Sequence, residues 1–224
     1  MDGLIRLAKS SIGAKAVMAL TGVALLGFVV VHLTGNLLIF SGPDALNAYA
    51  AWLHSLGNLL NVARAGLLAA VVLHIASAYR LTLLNRSARP VEYRQTAPEG
   101  SSYATRTMAW SGTIVLAFIL FHLAHFTFGT VQPEAYAWAD QTSPNVYKMV
   151  VVGFSSVPIA ASYIVAIALL GMHLSHGVTS MFQSLGVRHP RYDALIAKVG
   201  PTFAILYVLA NISMPVAVLA GWIA

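Results

Sequence analysis

Five stretches of predominantly apolar residues, at 16–40, 60–84, 108–130, 155–181 and 201–223, constrain this chain more than any other feature. Each is long enough to cross a hydrocarbon core of about 30 Å as a helix. Inside a bilayer every backbone polar group must be satisfied within its own segment, so the expected fold is all-α: an integral membrane bundle of five transmembrane helices in a single domain, 1–224. The first stretch begins after Arg6, Lys9 and Lys15, with no A-x-A-like site before Ser41. It reads as a retained span and not a cleaved signal. Between the stretches lie turn-rich segments, Ser41 to Asp44, Asn85 to Thr107, Gln132 to Pro144 and Gly186 to Gly200, none large enough for a separate domain.

Composition agrees: 58% of the residues are hydrophobic and 9% charged, outside the range of a soluble domain. The net charge of +6 comes from too few charges to build a nucleic-acid-binding face. The absence of Cys excludes disulfides, covalently attached c-type heme, protein-ligated iron-sulfur clusters and thiolate zinc sites. A redox metal in this chain would have to be held by His. The cations set the expected orientation, because Lys and Arg near span ends stay on the cytoplasmic side. Arg6, Lys9, Lys15, Arg80, Arg86, Arg89, Arg94, Arg106, Arg188, Arg191 and Lys198 flank one face, and Arg64 and Lys148 the other. The N-terminus is expected in the cytoplasm and the C-terminus outside, in the inner (cytoplasmic) membrane of a cell.

An ionisable side chain within a span is costly and marks function by default. His32, His74, His122, His125, His173 and His176 lie within the first four stretches, and the fifth has none. The sequence also repeats: TGVALLGFVVVHL, ending at His32-Leu33, matches SGTIVLAFILFHL, ending at His122-Leu123, in Gly, Phe, His and Leu. AAVVLHIAS around His74 matches ALLGMHLSH around His173 more weakly. Two helical hairpins, each with two principal histidines, are the expectation. At a rise of about 1.5 Å per residue, His32 and His122 lie roughly 24 and 22 Å from the cytoplasmic span ends, and His74 and His173 roughly 15 Å. Each level receives one His from each hairpin, which is what bis-His ligation of a b heme requires. His32 with His122 would hold an outer heme and His74 with His173 an inner one.

Gly22, Gly27, Gly35, Gly66, Gly112 and Gly171 are candidates for close approach to a porphyrin, although small residues also serve simple helix packing. Lys15, Arg80 and Arg106 inside, and Arg64 outside, are candidate propionate partners. His125 and His176 stand three residues after His122 and His173 and are alternative ligands; the two H-x-x-H pairs could also build a metal site, but no carboxylate lies in the spans to complete it. His54 and His189 read as solvated loop residues, His54 with a quinone or proton role as a second reading.

These residues resemble the single-chain, five-helix, di-heme cytochrome b anchor of succinate dehydrogenase and fumarate reductase, respiratory complex II. The resemblance covers nearly the whole chain and rests on SSIGAKAVMALTG leading to VVVHLTGN, FSGPDALNAYAAWLHSLG, LAAVVLHIASAYRL, SGTIVLAFILFHLAHFTFG and MHLSHGVTSMFQSLG. It implies four axial ligands at His32, His74, His122 and His173, the first paired with the third and the second with the fourth. The fourth ligand of that family stands in an H-x-x-N-G pattern; here His176 replaces the Asn before Gly177, which suggests an added hydrogen-bonding role. The resemblance further implies two b hemes, a membrane quinone as substrate, a flavoprotein subunit with covalent FAD, an iron-sulfur subunit on the cytoplasmic side, and assembly into a larger complex. Dicarboxylate chemistry in the tricarboxylic acid cycle would belong to the flavoprotein. Quinone contacts could involve Ser11, Lys15 or Arg106 at the inner edge and Asn36, His54 or Arg64 at the outer edge. Two other readings compete. One is a di-heme cytochrome b of a hydrogenase or another quinone-linked dehydrogenase. The other is a His-based proton or cation transporter, which would normally need intramembrane acids, whereas Asp44, Glu134 and Asp140 fall in loops.

Overall fold

The computed structural model describes residues 10–87, 108–139, 144–187 and 189–224. Arg6, Lys9, Arg89, Arg94, Arg106, Asp140 and Arg188 lie outside the described residues. The described chain is helical throughout, with no strand. Its elements are α1 (Ser11–Asn36), continued by a short 3-10 turn (Leu37–Ser41), α2 (Pro43–Ser55), α3 (Asn58–Ser87), α4 (Met108–His122), a π-helical turn (Leu123–Thr127), α5 (Pro133–Tyr136), α6 (Val146–Ser155), α7 (Val157–Ser184) and α8 (Pro190–Leu219). Five of these, α1, α3, α4 with its π turn, α7 and α8, are long and apolar enough to cross a membrane. Their outer surfaces are those of a bilayer protein: Leu68, Leu120 and Leu206 are each more than 60% exposed, and lipid, not water, is the solvent that tolerates them.

Local chemistry explains the helix ends. Ser10 caps α1, its hydroxyl accepting from the Gly13 N–H at 3.0 Å. Proline at the first turn starts α2, α5, α7 and α8, where its missing N–H costs nothing. The third span ends at Gly129, whose φ of +65° reverses the chain as few other residues can.

The span boundaries differ from expectation chiefly at the last helix. The expected loop from Gly186 to Gly200 is helical from Pro190 onward, because Pro190 opens the helix and the His189 ring accepts from the Arg191 N–H at 3.2 Å. His189 is therefore a cap and not merely a solvated loop residue. The connections at the opposite end hold three further helices, α2, α5 and α6. Asn47 joins α2 to α6: its amide donates to the Asn145 side chain at 3.2 Å and its carbonyl oxygen accepts from the Tyr147 N–H at 3.0 Å, while Asn145 caps α6.

Packing follows the internal repeat. The first span packs mainly on the second and the third on the fourth, with α7 and α8 the most closely associated pair of spans. Gly171 and Gly200 permit that association: a side chain at Gly171 would collide with Val208, and one at Gly200 with the Ser175 carbonyl and the Thr179 hydroxyl. The buried apolar core gathers at the end opposite the N-terminus, around Ile39, Leu46, Phe154, Ala160, Tyr163 and Met214. Few residues of the first two spans are buried by the rest of the protein. We predict that Gly200→Val separates α7 from α8 and costs about 1–3 kcal/mol, the usual penalty of overpacking, read as a lowered midpoint of unfolding by SDS from mixed micelles. Gly27→Ala, where an added methyl meets nothing within 4 Å, should leave that midpoint unchanged.

Candidate functional site

The two hairpins present the same construction twice. In the first, the Thr21 hydroxyl lies 3.2 Å from Nδ1 of His74, and the Cβ position of Gly22 lies 3.5 Å from that ring. In the second, the Ser111 hydroxyl lies 3.3 Å from Nδ1 of His173, and the Cβ position of Gly112 lies 3.4 Å from that ring. A hydroxyl followed by glycine thus receives a histidine from the next span, the hydroxyl binding the ring and the glycine lying beside it, where a methyl would make ordinary contact. The glycines at these two sites face histidine side chains. Gly35 packs against Tyr49 and Gly171 against Val208, while Gly27 and Gly66 meet nothing within 4 Å.

The direction of these hydrogen bonds follows from the hydroxyl protons. Thr21 donates its single proton to the carbonyls of its own helix, Val17 at 2.7 Å and Met18 at 3.1 Å, and Ser111 donates to Met108 at 3.1 Å. Each oxygen is then an acceptor for the imidazole, so His74 and His173 carry their proton on Nδ1. Their Nε2 atoms keep the lone pair and have no hydrogen-bond partner among the described residues. A neutral imidazole held at one nitrogen and bare at the other is a metal ligand in waiting, since ligating histidines donate their second N–H to an orienting group. His74 and His173 also lie within electrostatic reach of each other.

Near the opposite end His32 and His122 come together. Their ring centroids are 5.8 Å apart with planes at 84°, although the first and third spans that carry them have little direct backbone contact. The repeat extends to their surroundings, for Phe28 stacks on His32 at 5.3 Å and Phe118 lies against His122 at 6.0 Å, each one turn earlier on the same helix. His122 Nδ1 lies 3.3 Å from the Tyr163 hydroxyl. His32 makes no hydrogen bond among the described residues.

The other residues singled out from the sequence divide by position. His125 is 1% exposed, and both its nitrogens are engaged, Nδ1 with Tyr163 at 2.9 Å and Nε2 with Gln132 at 3.0 Å. His176 is half-buried on α7, one turn beyond His173. Among the described residues no three potential metal-ligating side chains gather, so the H-x-x-H pairs do not meet in a conventional metal cage. Lys15 and Ser11 are exposed at the start of α1 and Arg80 is half-buried toward the end of α3, all at the end nearer His74 and His173. Arg64 and His54 are exposed and Asn36 half-buried toward the other end.

Sequence reasoning missed Tyr163 and Gln132. The signal for Tyr163 was a phenol within an apolar stretch, a polar group that must find a partner when no water is near. Gln132 carried none, being an ordinary polar residue in a turn. Comparison with known proteins finds no matching family model, no matching curated protein and no matching solved structure.

We predict that Ser111→Ala, which strands the Nδ1–H of His173 in an apolar bundle, lowers stability by about 1–3 kcal/mol in the same unfolding measurement. Thr113→Val is the control. Its hydroxyl bonds only the Ala109 carbonyl of its own helix, and a change within about 0.5 kcal/mol is expected.

Proposed function

We propose that this chain is the membrane-anchor cytochrome b subunit of a succinate:quinone oxidoreductase, holding two b hemes and carrying electrons between an iron-sulfur subunit and membrane quinone. One observation carries the reading. Three of the four repeat-related histidines, His74, His122 and His173, have Nδ1 committed to a hydroxyl and Nε2 without a hydrogen-bond partner, at two levels of one bundle. The donor set suits heme iron: neutral imidazoles in pairs, one from each hairpin, with no carboxylate or thiolate among them. The His32 and His122 rings, 5.8 Å apart, would be the two residues to hold one such iron, one from each hairpin.

In this reading His32 and His122 are the ligands at one level and His74 and His173 at the other. Thr21, Ser111 and Tyr163 orient three of these rings, and the apolar surroundings exclude water. Bound heme would supply one-electron redox chemistry, with bis-His ligation and burial setting its potential. Lys15 and Arg80, at the same end as the His74 level, are the candidate propionate partners there, and Arg64 is the candidate at the other end. Arg106 belongs to the same proposal but lies outside the described residues. The flavoprotein with covalent FAD and the iron-sulfur subunit would dock at the cation-rich end, which the distribution of Lys and Arg assigns to the cytoplasm of a cell with this protein in its inner membrane.

A di-heme cytochrome b serving a hydrogenase or another dehydrogenase would use the same ligands, and only the partner subunits distinguish it. A transporter is disfavoured by the position of the acids: Asp44, Glu134 and Asp193 each stand in the first turn of a helix, not at mid-span. The test is the pyridine hemochrome content of the purified chain. Two b hemes per chain are expected, with His32→Ala and His122→Ala losing the same one and His74→Ala and His173→Ala losing the other. A heme-free chain would overturn the reading.

A further inference from the structure

The two histidine levels are not held alike, and the difference begins where the internal repeat breaks. Three residues after His122 the chain has His125, whereas three residues after His32 it has Gly35. Ten residues before His173 it has Tyr163, whereas ten before His74 it has Arg64, which is exposed. Both departures fall in the second hairpin at the level of His122. They introduce groups that the ligand reading alone does not use, in a part of the membrane where unpaired polar atoms are costly.

We propose that Gln132, His125 and Tyr163 form a hydrogen-bonded chain of fixed direction that positions His122 and makes its Nε2 the coordinating atom. The proposal rests on the heme reading for the identity of the metal, but the chain is defined by the polypeptide alone. Its direction is set at the far end. The Gln132 amide nitrogen donates to the Val152 carbonyl at 3.4 Å, which turns the amide oxygen toward His125. That oxygen can only accept, so His125 donates to it from Nε2 at 3.0 Å. At 1% exposure His125 is neutral, because both its nitrogens meet uncharged groups, Gln132 and Tyr163, and the Glu134 carboxylate that acts on it electrostatically forms no ion pair with it. Its Nδ1 is then an acceptor and takes the Tyr163 proton at 2.9 Å. With that proton spent, the phenol oxygen accepts from Nδ1–H of His122 at 3.3 Å, which leaves the lone pair of His122 on Nε2.

The backbone is shaped around this chain. A π turn starts directly after His122, closed by the Phe128 N–H on the Leu123 carbonyl at 2.8 Å, and it carries His125. Such single-turn insertions recur at functional sites. Gly153 of α6 leaves the space the ring occupies: a Cβ there would stand 3.2 Å from His125 and 2.9 Å from Phe126. His125 is consequently a positioning residue and not an alternative ligand, since neither of its nitrogens is free. His32, across from His122, has no comparable restraint. The pair consists of one imidazole anchored by a hydrogen bond and one held by ring contacts alone.

The test combines a readout of the polypeptide with a readout of the metal. In the full chain in bilayers with 15N-labelled histidine, nitrogen shifts should show His125 protonated on Nε2 and His122 on Nδ1. Tyr163→Phe should move the His122 Nδ1 shift toward that of an N–H without a hydrogen-bond acceptor and, in chain free of heme, turn the single His122 tautomer into a mixture. It should also raise the midpoint potential of the heme held by His32 and His122, because an imidazole that loses its acceptor is a weaker donor to the oxidised iron. The other heme should keep its potential. Gln132→Leu should release the His125 tautomer and shift the same heme in the same direction by less. Finding His125 protonated on Nδ1, or finding the His122 Nδ1 shift and the potential untouched by Tyr163→Phe, overturns the proposal. If the chain holds no heme, the heme reading falls, and the tautomers of His122 and His125 in wild type and Tyr163→Phe alone decide the relay.

Discussion

A hydroxyl in a bilayer-spanning helix has one proton and a carbonyl of its own helix within reach, and much of this structure depends on that small commitment. Once Thr21 and Ser111 donate to the carbonyls behind them, their oxygens can only accept, and the imidazoles of His74 and His173 must present Nδ1–H. In water the same arrangement would be one of several that exchange rapidly. In hydrocarbon no solvent competes, so a weak intrahelical bond fixes which ring nitrogen is basic. Glycine at the next position lies beside the ring in both copies.

The same economy of partners explains why the helices associate as they do. Between the first and second spans, and between the third and fourth, histidine meets hydroxyl and small residue. Between the last two spans, glycine meets a backbone carbonyl or a branched side chain. Lipid tails are as apolar as leucine, so burial of leucine does not hold these helices together; close approach and side-chain hydrogen bonds do. The dense apolar core is accordingly confined to one end, where α2, α6 and the Asn47–Asn145 link draw the connections over the bundle.

Much of the architecture was legible because spanning a membrane demands long apolar runs and punishes ionisable residues, so the spans and the histidines stand out as residue types. The His32–His122 proximity was legible as well, because depth along a helix is a count of residues. The start of α8 was not. Pro190-Arg191-Tyr192-Asp193 has the composition of a loop, and what makes it a helix is the capping of Arg191 by the His189 ring, a contact between neighbours that composition does not register. Helices α2 and α6 were hidden for a related reason, being too short to span and held by the two asparagines, which lie 98 residues apart in the chain. Tyr163 and Gln132 were hidden because their roles lie in the direction of a hydrogen bond, and direction depends on where each proton has already gone.

The contrast between His122 and His32 gives the internal repeat a physical meaning. Duplication of a hairpin yields two equivalent histidine levels only while the groups behind the rings remain equivalent, and here they do at His74 and His173. At the other level the second copy has acquired His125, Tyr163 and a π turn where the first keeps Gly35, Arg64 and a regular helix. A pair hydrogen-bonded on one side only leaves the other ring, packed on Phe28, without a polar restraint. The pair of His74 and His173 is hydrogen-bonded on both sides. If both levels hold the same cofactor, the protein can therefore give each a different electronic character without changing a single ligand, which is the condition for an electron to move across a bundle in a preferred sequence.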